Sequence, residues 1–348
     1  MLYYCIDENQ IDQEKIREAG EVIRRGGLVA FPTETVYGLG GDALNPEAAG
    51  RIYAAKGRPC DNPLIVHIAD LKALPKIAEN IPQSAYALAE RFWPGPLTMI
   101  FRKQDCVPKE TTGGLSTVAV RMPDNPIALA LIEASGGYIA APSANRSGRP
   151  SPTSGAHVKE DLDGRIDMIL DGGNTRIGLE STIVDLTGPT PCLLRPGYIS
   201  VPMLKEVLGT VTLDPTLEGR ADPALKPKAP GMKYRHYAPK GELTIVSGNI
   251  DAVSGYIREQ IRIRKGRSRI GVIASAETCD RYDADVVVNI GSAGDEKTIA
   301  KRLYAVLRDF DEQQVDLIYS EAFDGAQIGM AIMNRLIKAA GHHIIEVS

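Results

Sequence analysis

The sequence predicts an α/β protein in two domains, and three observations carry that reading. Strand-like apolar runs alternate with helix-like ones through the first two hundred residues, and the alternation restarts at Leu243. Between them lies a segment from about Leu208 to Lys240 that holds Pro215, Pro223, Pro227, Pro230 and Pro239 and few long apolar runs. At 348 residues the chain is long enough for two hydrophobic cores. The expected division is a first domain over 1–207, a linker over 208–240 and a second, smaller domain over 241–348.

The elements follow in order. Glu14 to Arg25 reads as an amphipathic helix stopped by Gly26-Gly27, and Leu28 to Phe31 as a strand. Asn45-Pro46 starts a helix that runs to Ala55 and leads into a Lys56-Gly57-Arg58-Pro59 turn. A short apolar strand spans Leu64 to Ile68, and a helix spans Ile81 to Phe92. Pro94 and Pro96 cannot extend that helix, so the chain turns there before the strand Leu97 to Arg102. In the second domain the pattern gives strands Leu243 to Val246, Arg269 to Ala274, Val286 to Ile290 and Leu317 to Ser320. Helices fall at Val253 to Arg264, Glu296 to Asp309 and Met330 to Ala340. This domain reads as Rossmann-like, yet it has no G-x-G-x-x-G, and its polar residues are expected on helix faces rather than at strand ends.

Composition narrows the class. With 43% hydrophobic and 24% charged residues and a formal charge of -4, the chain is not one that coats nucleic acid by bulk electrostatics. Cys5, Cys60, Cys106, Cys192 and Cys279 show no CxxC spacing, which points to neither zinc nor a disulfide framework. No run reaches the roughly 18 to 20 apolar residues of a membrane helix, and no apolar signal core precedes Asp7. A soluble, cytoplasmic protein is expected.

The chemistry gathers where predicted strands stop. Pro32 to Gly40 presents Thr33, Glu34 and Thr35; Ser116-Thr117 to Met122 presents Arg121; Ala141 to Gly148 presents Ser143, Asn145 and Arg146. Leu179 to Asp185 presents Glu180 and Ser181, and Leu193 to Gly197 presents Arg195. Strand ends of this kind are where open α/β sheets build ligand sites. There is no G-x-x-x-x-G-K-[ST], no G-x-S-x-G, no HExxH and no informative Cys-His pair; the histidines are His67, His157, His236, His342 and His343. An inventory poor in nucleophiles and metal ligands but rich in cations and hydroxyls suits phosphoryl or nucleotidyl transfer, in which the protein positions reactants and neutralises charge.

The motifs KGRP (56–59), PTETVYGLG (32–40), STVAVRMP (116–123), APSAN (141–145), ESTIVD (180–185), LLRPG (193–197) and PGMKYRHYAP (230–239) occur in this order. Together they closely resemble the threonylcarbamoyl-AMP synthase family, in its longer form with a second C-terminal domain. The resemblance covers the whole chain. It implies a YrdC-like twisted mixed β-sheet with flanking helices for the first domain. It also implies a reaction in which L-threonine, bicarbonate or carbon dioxide, and ATP give threonylcarbamoyl-AMP and pyrophosphate. The product would pass to the tRNA threonylcarbamoyl transferase machinery.

What the resemblance implies for individual residues is specific. Lys56 and Arg58 are the expected catalytic cations and bind the triphosphate, with Arg58 and Arg195 suited to charge moving onto pyrophosphate. Asn62, Thr117, Ser143 and Ser151 fall on the nucleotide side, and Tyr234 or Tyr237 would reach ATP from the linker. Arg121 is the candidate for the threonine carboxylate, with Thr35, His67, Ala141 and Ser181 completing that pocket. Magnesium is expected with ATP, without a dedicated carboxylate cluster.

Other readings stand beside these. His67 also fits a core histidine, Ser151 and Asn62 fit turn formers, Arg195 fits a strand cap, and Glu34 fits a buried partner for Lys56 better than a base. The linker is either a spacer packed through its tyrosines or a strap over the pocket. The alternative function is a double-stranded RNA or tRNA binding module whose Lys56, Arg58, Arg121 and Arg195 contact phosphates. A hydrogenase-maturation carbamoyltransferase is discounted, because its cysteine pattern is absent.

Overall fold

A computed structural model describes residues 1–218, 227–230, 236–325 and 327–348. The chain forms two compact units, one of Met1–Ser147 and Ser151–Lys233, the other of Gly148–Pro150 and Tyr234–Ser348. Among the described residues no helix is long and apolar enough to cross a membrane.

The first unit is built on a mixed sheet. Across it the strands run Leu2–Cys5, Met168–Asp171, Val29–Phe31, Gly38–Asp42, Ile139–Ala141, Ile65–His67, Thr117–Arg121, Leu97–Lys103, Thr182–Asp185, Cys192–Arg195 and Thr212–Leu213, with Ala78–Glu79 beside Leu97–Lys103. Period-two alternation decides which side chains share a face. Val66, Met99, Phe101, Val118, Val120 and Val184 belong to the larger core, together with residues of helices Pro46–Lys56, Gln83–Phe92 and Val201–Leu208. On the opposite face, helices Gln13–Arg24 and Pro126–Ala134 cover Val29, Phe31, Ile139, Ala141, Met168 and Leu170. Further along that face Ile65, Ile100, Ala119 and Ile183 cluster with Leu194 and Ala229, and among the described residues no helical one joins them. A strip of the sheet is thereby left to the site.

Local chemistry explains the element ends. Asp12 caps the first helix through the amides of Glu14 and Lys15. Asn45 accepts from Glu47 N, Pro46 occupies the first turn, and Gly57, left-handed at φ 62°, closes that helix after Lys56. Lys56 is therefore the last helical residue, and the turn begins one residue later than the pattern suggests.

One strand, Gly38–Asp42, lies where the glycines read as a break. Here glycine serves close packing: a Cβ on Gly40 would lie 2.8 Å from Ile139 Cγ2 and 2.9 Å from Phe31 Cε1. The sheet can close over Phe31 only because those positions carry no side chain.

The second unit has five strands, all parallel, in the order Val286–Asn289, Ile270–Ala274, Leu317–Glu321, Glu242–Gly248, Ile344–Val347. This is the Rossmann-like α/β arrangement expected, with the last strand unforeseen. The expectation that its polar residues avoid strand ends is overturned. Glu321 closes its strand and accepts from Tyr282 Oη at 2.6 Å and Ser275 N at 2.9 Å, while Ser275 Oγ lies 2.9 Å from Thr278 Oγ1. Buried hydroxyls and amides there satisfy one another, so the sequence pattern of scattered polar residues concealed a closed network.

Candidate functional site

The site begins with a row of residues in register. His67 pairs with Arg121, Arg121 with Thr98, Thr98 with Ile183, and Ile183 with Arg195, across five neighbouring strands. Residues paired across strands point to the same side, so these side chains share the face that Ile65, Ile100, Ala119 and Ile183 floor. Ala141 joins it as the partner of Ile65, and Thr117 lies two residues before Ala119 on the same strand.

Arg121 and Glu34 form a buried ion pair, Nη2 to Oε1 2.6 Å, with the two residues 4% and 2% exposed. Glu34 is thus the partner of Arg121 and not of Lys56, a correction to the reading of the PTET motif. It reaches Arg121 from the loop after Val29–Phe31, a loop pinned by Ile177 N to Glu34 O at 2.8 Å and Gly178 N to Thr35 O at 3.0 Å. Thr35 is fully buried, its Oγ1 2.8 Å from Thr33 Oγ1. His67 sets Nδ1 3.1 Å from Ile65 O and meets Phe31 edge-on. Burial, followed by the charge of Arg121, lowers its pKa from 6.5 to about 3, so the ring is neutral at neutral pH.

The row ends in a second polar knot. Thr98 Oγ1 lies 2.8 Å from Ser181 Oγ; Arg195 donates from Nη2 to Ser181 Oγ at 3.1 Å and from Nε to Ser181 O at 3.0 Å. Arg195 Nη1 also donates to Pro230 O at 3.3 Å. These bonds hold Arg195 in place at the end of the row.

Lys56 Nζ donates to Ser143 O at 2.5 Å and also to Asn145 O, while Ser143 Oγ donates to Asn145 Oδ1 at 2.6 Å. Arg58 donates from Nε to Asn62 O at 3.1 Å and from Nη2 to Pro63 O at 3.0 Å. Asn62 is buried, and its Oδ1 takes no hydrogen bond among the described residues. Ser151 Oγ donates to Glu180 Oε1 at 2.5 Å. Tyr237 belongs to the second unit, buried and stacked on Tyr304 with ring centroids 5.1 Å apart; Tyr234 lies outside the described residues.

Two family models match this chain. One, described as Telomere recombination and named for Sua5, YciO and YrdC, covers residues 21–197; the other, the threonylcarbamoyl-AMP synthase C-terminal domain, covers 199–341. A threonylcarbamoyl-AMP synthase of Pyrococcus abyssi is 51% identical over 340 residues, 97% of each chain. The chain belongs to the threonylcarbamoyl-AMP synthase family. Within the family, the Bacillus subtilis enzyme is 48% identical over 97% of this chain and 96% of its own. A crystal structure of P. abyssi Sua5 complexed with L-threonine aligns with a TM-score of 0.94 at 48% identity, covering 100% of both chains.

Several residues that shape the site carry no role in the sequence reading. Thr98 is one, and its signal was a single hydroxyl inside the apolar strand Leu97 to Phe101. Glu180 and Asn145 sit inside motifs already quoted, but their part, accepting from Ser151 and Ser143, depends on contacts made after folding.

Proposed function

We propose that this chain makes threonylcarbamoyl-AMP and pyrophosphate from L-threonine, bicarbonate or carbon dioxide, and ATP, in the cytoplasm, for delivery to the tRNA threonylcarbamoyl transferase machinery. The observation that carries it is the row His67, Arg121, Thr98, Arg195 on one sheet face, in a chain so close to named synthases along its whole length. A neutral imidazole beside a buried guanidinium suits an amino acid, because Arg121 can meet a carboxylate with two parallel donors. His67 takes no proton at neutral pH and serves by shape and hydrogen bonding.

The threonine amine adds to carbon dioxide, releasing a proton and leaving a carbamate. A carbamate oxygen then attacks the α-phosphorus of ATP, and the bond to pyrophosphate breaks. No protein nucleophile is needed; the protein holds two anions together, offsets their repulsion and excludes water from a labile mixed anhydride. Lys56, Arg58 and Arg195 are assigned to the triphosphate, with Asn62, Thr117, Ser143 and Ser151 beside them. The uncommitted Asn62 Oδ1 supports a ligand-facing role.

Among the described residues no three His, Cys, Asp or Glu side chains converge on a metal position. Magnesium is proposed to arrive complexed with the triphosphate, and no step is assigned to it.

Lys56, Arg58, Arg121 and Arg195 are 2%, 9%, 4% and 4% exposed, so they form no surface strip for RNA phosphates. Pyrophosphate release from ATP, measured with threonine and bicarbonate together and with each left out, tests the proposal. Release that ignores threonine would sink it.

A further inference from the structure

We infer that Glu34 and Arg121 act as a two-ended clamp for a zwitterion, Arg121 taking the carboxylate of the amino acid and Glu34 its ammonium. The inference rests on the synthase reading above for the placement of the amino acid, and adds a specificity residue to it.

At this pair, charge and hydrogen bonding do not match. Glu34 Oε1 and Arg121 Nη2 approach to 2.6 Å, but neither Glu34 oxygen nor Arg121 Nη2 has a hydrogen-bond partner among the described residues. The pair is close enough to neutralise, without the alignment that would use its donors and acceptors. An ionised carboxylate withdrawn from water ordinarily accepts several hydrogen bonds, and leaving one unmet costs about 1–3 kcal/mol or more. The neighbours do not supply them: Thr33 Oγ1 is engaged with Thr35 Oγ1 and Val36 O, and Arg121 Nε reaches Gly95 O at 3.3 Å.

Position turns this into a ligand argument. Arg121 stands in the row that shares its face with His67, Thr98 and Arg195. Thr98 and Ser181 are occupied with each other, and Glu34 is the carboxylate set against Arg121 in this row. A molecule with carboxylate and ammonium on one carbon matches a guanidinium and a carboxylate held side by side. A hydroxy acid of the same shape matches only the guanidinium. Glu34 therefore selects for the amine at the atom that must react, which a pocket recognising carboxylate and side chain alone would not do.

The test compares L-threonine with the matching 2,3-dihydroxybutyrate, which has a hydroxyl where threonine has its ammonium, in calorimetric titrations of the full chain. A charge-assisted hydrogen bond contributes about 1.5–3 kcal/mol, so the wild type should prefer threonine by about tenfold or more. Glu34→Gln keeps size and hydrogen bonding but not charge, and should shrink that preference to about threefold or less, with ATP affinity changed by less than about threefold. Glu34→Asp, which keeps the charge, should recover part of it.

A Glu34→Gln protein that binds both ligands more weakly but with the preference intact would show that Glu34 only props Arg121, and would overturn the clamp. Should Glu34→Gln fail to fold, the wild type decides alone, since equal affinity for the two ligands overturns the inference. A wild type that binds neither would instead count against the synthase reading.

Discussion

Replacing Arg121 separates its two jobs. Arg121→Met removes a guanidinium that is 4% exposed and leaves Glu34, 2% exposed, without its ion-pair partner at 2.6 Å. Breaking a buried pair from one side destabilises by about 3–5 kcal/mol, because the remaining charge has lost its counter-ion, whereas removing both ends is often nearly neutral. The double variant Arg121→Met/Glu34→Gln should therefore be more stable than the single one by about 2 kcal/mol or more. Ligand binding should not follow that recovery. Loss of a buried charge partner for the threonine carboxylate costs about 2–5 kcal/mol, roughly 30-fold to several thousandfold in affinity, in both variants. Denaturant unfolding gives the stabilities, and titration with threonine and an unreactive ATP analogue gives the affinities. Two results would refute the reasoning. If the single and double variants are equally stable, the pair is not the energetic unit described; if ATP affinity falls and threonine affinity does not, Arg121 belongs to the nucleotide.

Other tests follow from the same geometry. His67 is held at a pKa of about 3 when folded against an ordinary 6.5, so the unfolded chain takes up the proton first as pH falls. Stability is thus lost progressively below pH 6.5, by about 2 kcal/mol from this residue at pH 5, and His67→Gln should flatten that part of the profile. An NMR titration that protonates the ring above pH 5 would refute the assignment. Ser151→Ala removes the 2.5 Å donor to Glu180 and should cost about 1–3 kcal/mol, raising the ATP requirement more than the threonine requirement in initial-rate kinetics. Gly197→Ala would place a Cβ 2.4 Å from Thr182 N and 2.8 Å from Glu180 O. Backbone must move to admit it, so a stability loss of about 1–3 kcal/mol should come with lost turnover; an unchanged melting temperature would show that the 180–182 segment yields freely.

Local signals were legible wherever one residue type settles the matter. Asn45-Pro46 announced a helix start, Gly26-Gly27 a stop, and the alternation after Leu243 located four parallel strands within a few residues. Gly38–Asp42 was not legible, because glycine reads as a breaker, and only the closeness of Phe31 and Ile139 shows why it is a strand here. Ile344–Val347 was masked by its brevity and by the helix end before it. For the site, types and motifs were visible but partnerships were not. Glu34 and Arg121 are 87 positions apart (121 - 34), and nothing local to either names the other. Thr98 finds Ser181 only through the parallel pairing of Leu97–Lys103 with Thr182–Asp185.

The row of paired residues has a consequence for how the protein comes to be active. His67, Thr98, Arg121 and Arg195 come from four strands well separated along the chain, and a slip of one residue in any of them would turn that member to the opposite face. Pairing strands that are distant in sequence costs loop-closure entropy before the contacts repay it, which slows folding. Substrate can then engage only chains in which every register is right, and bound substrate in turn favours those registers by mass action. Occupancy of the row would therefore act as a checkpoint on assembly of the sheet itself.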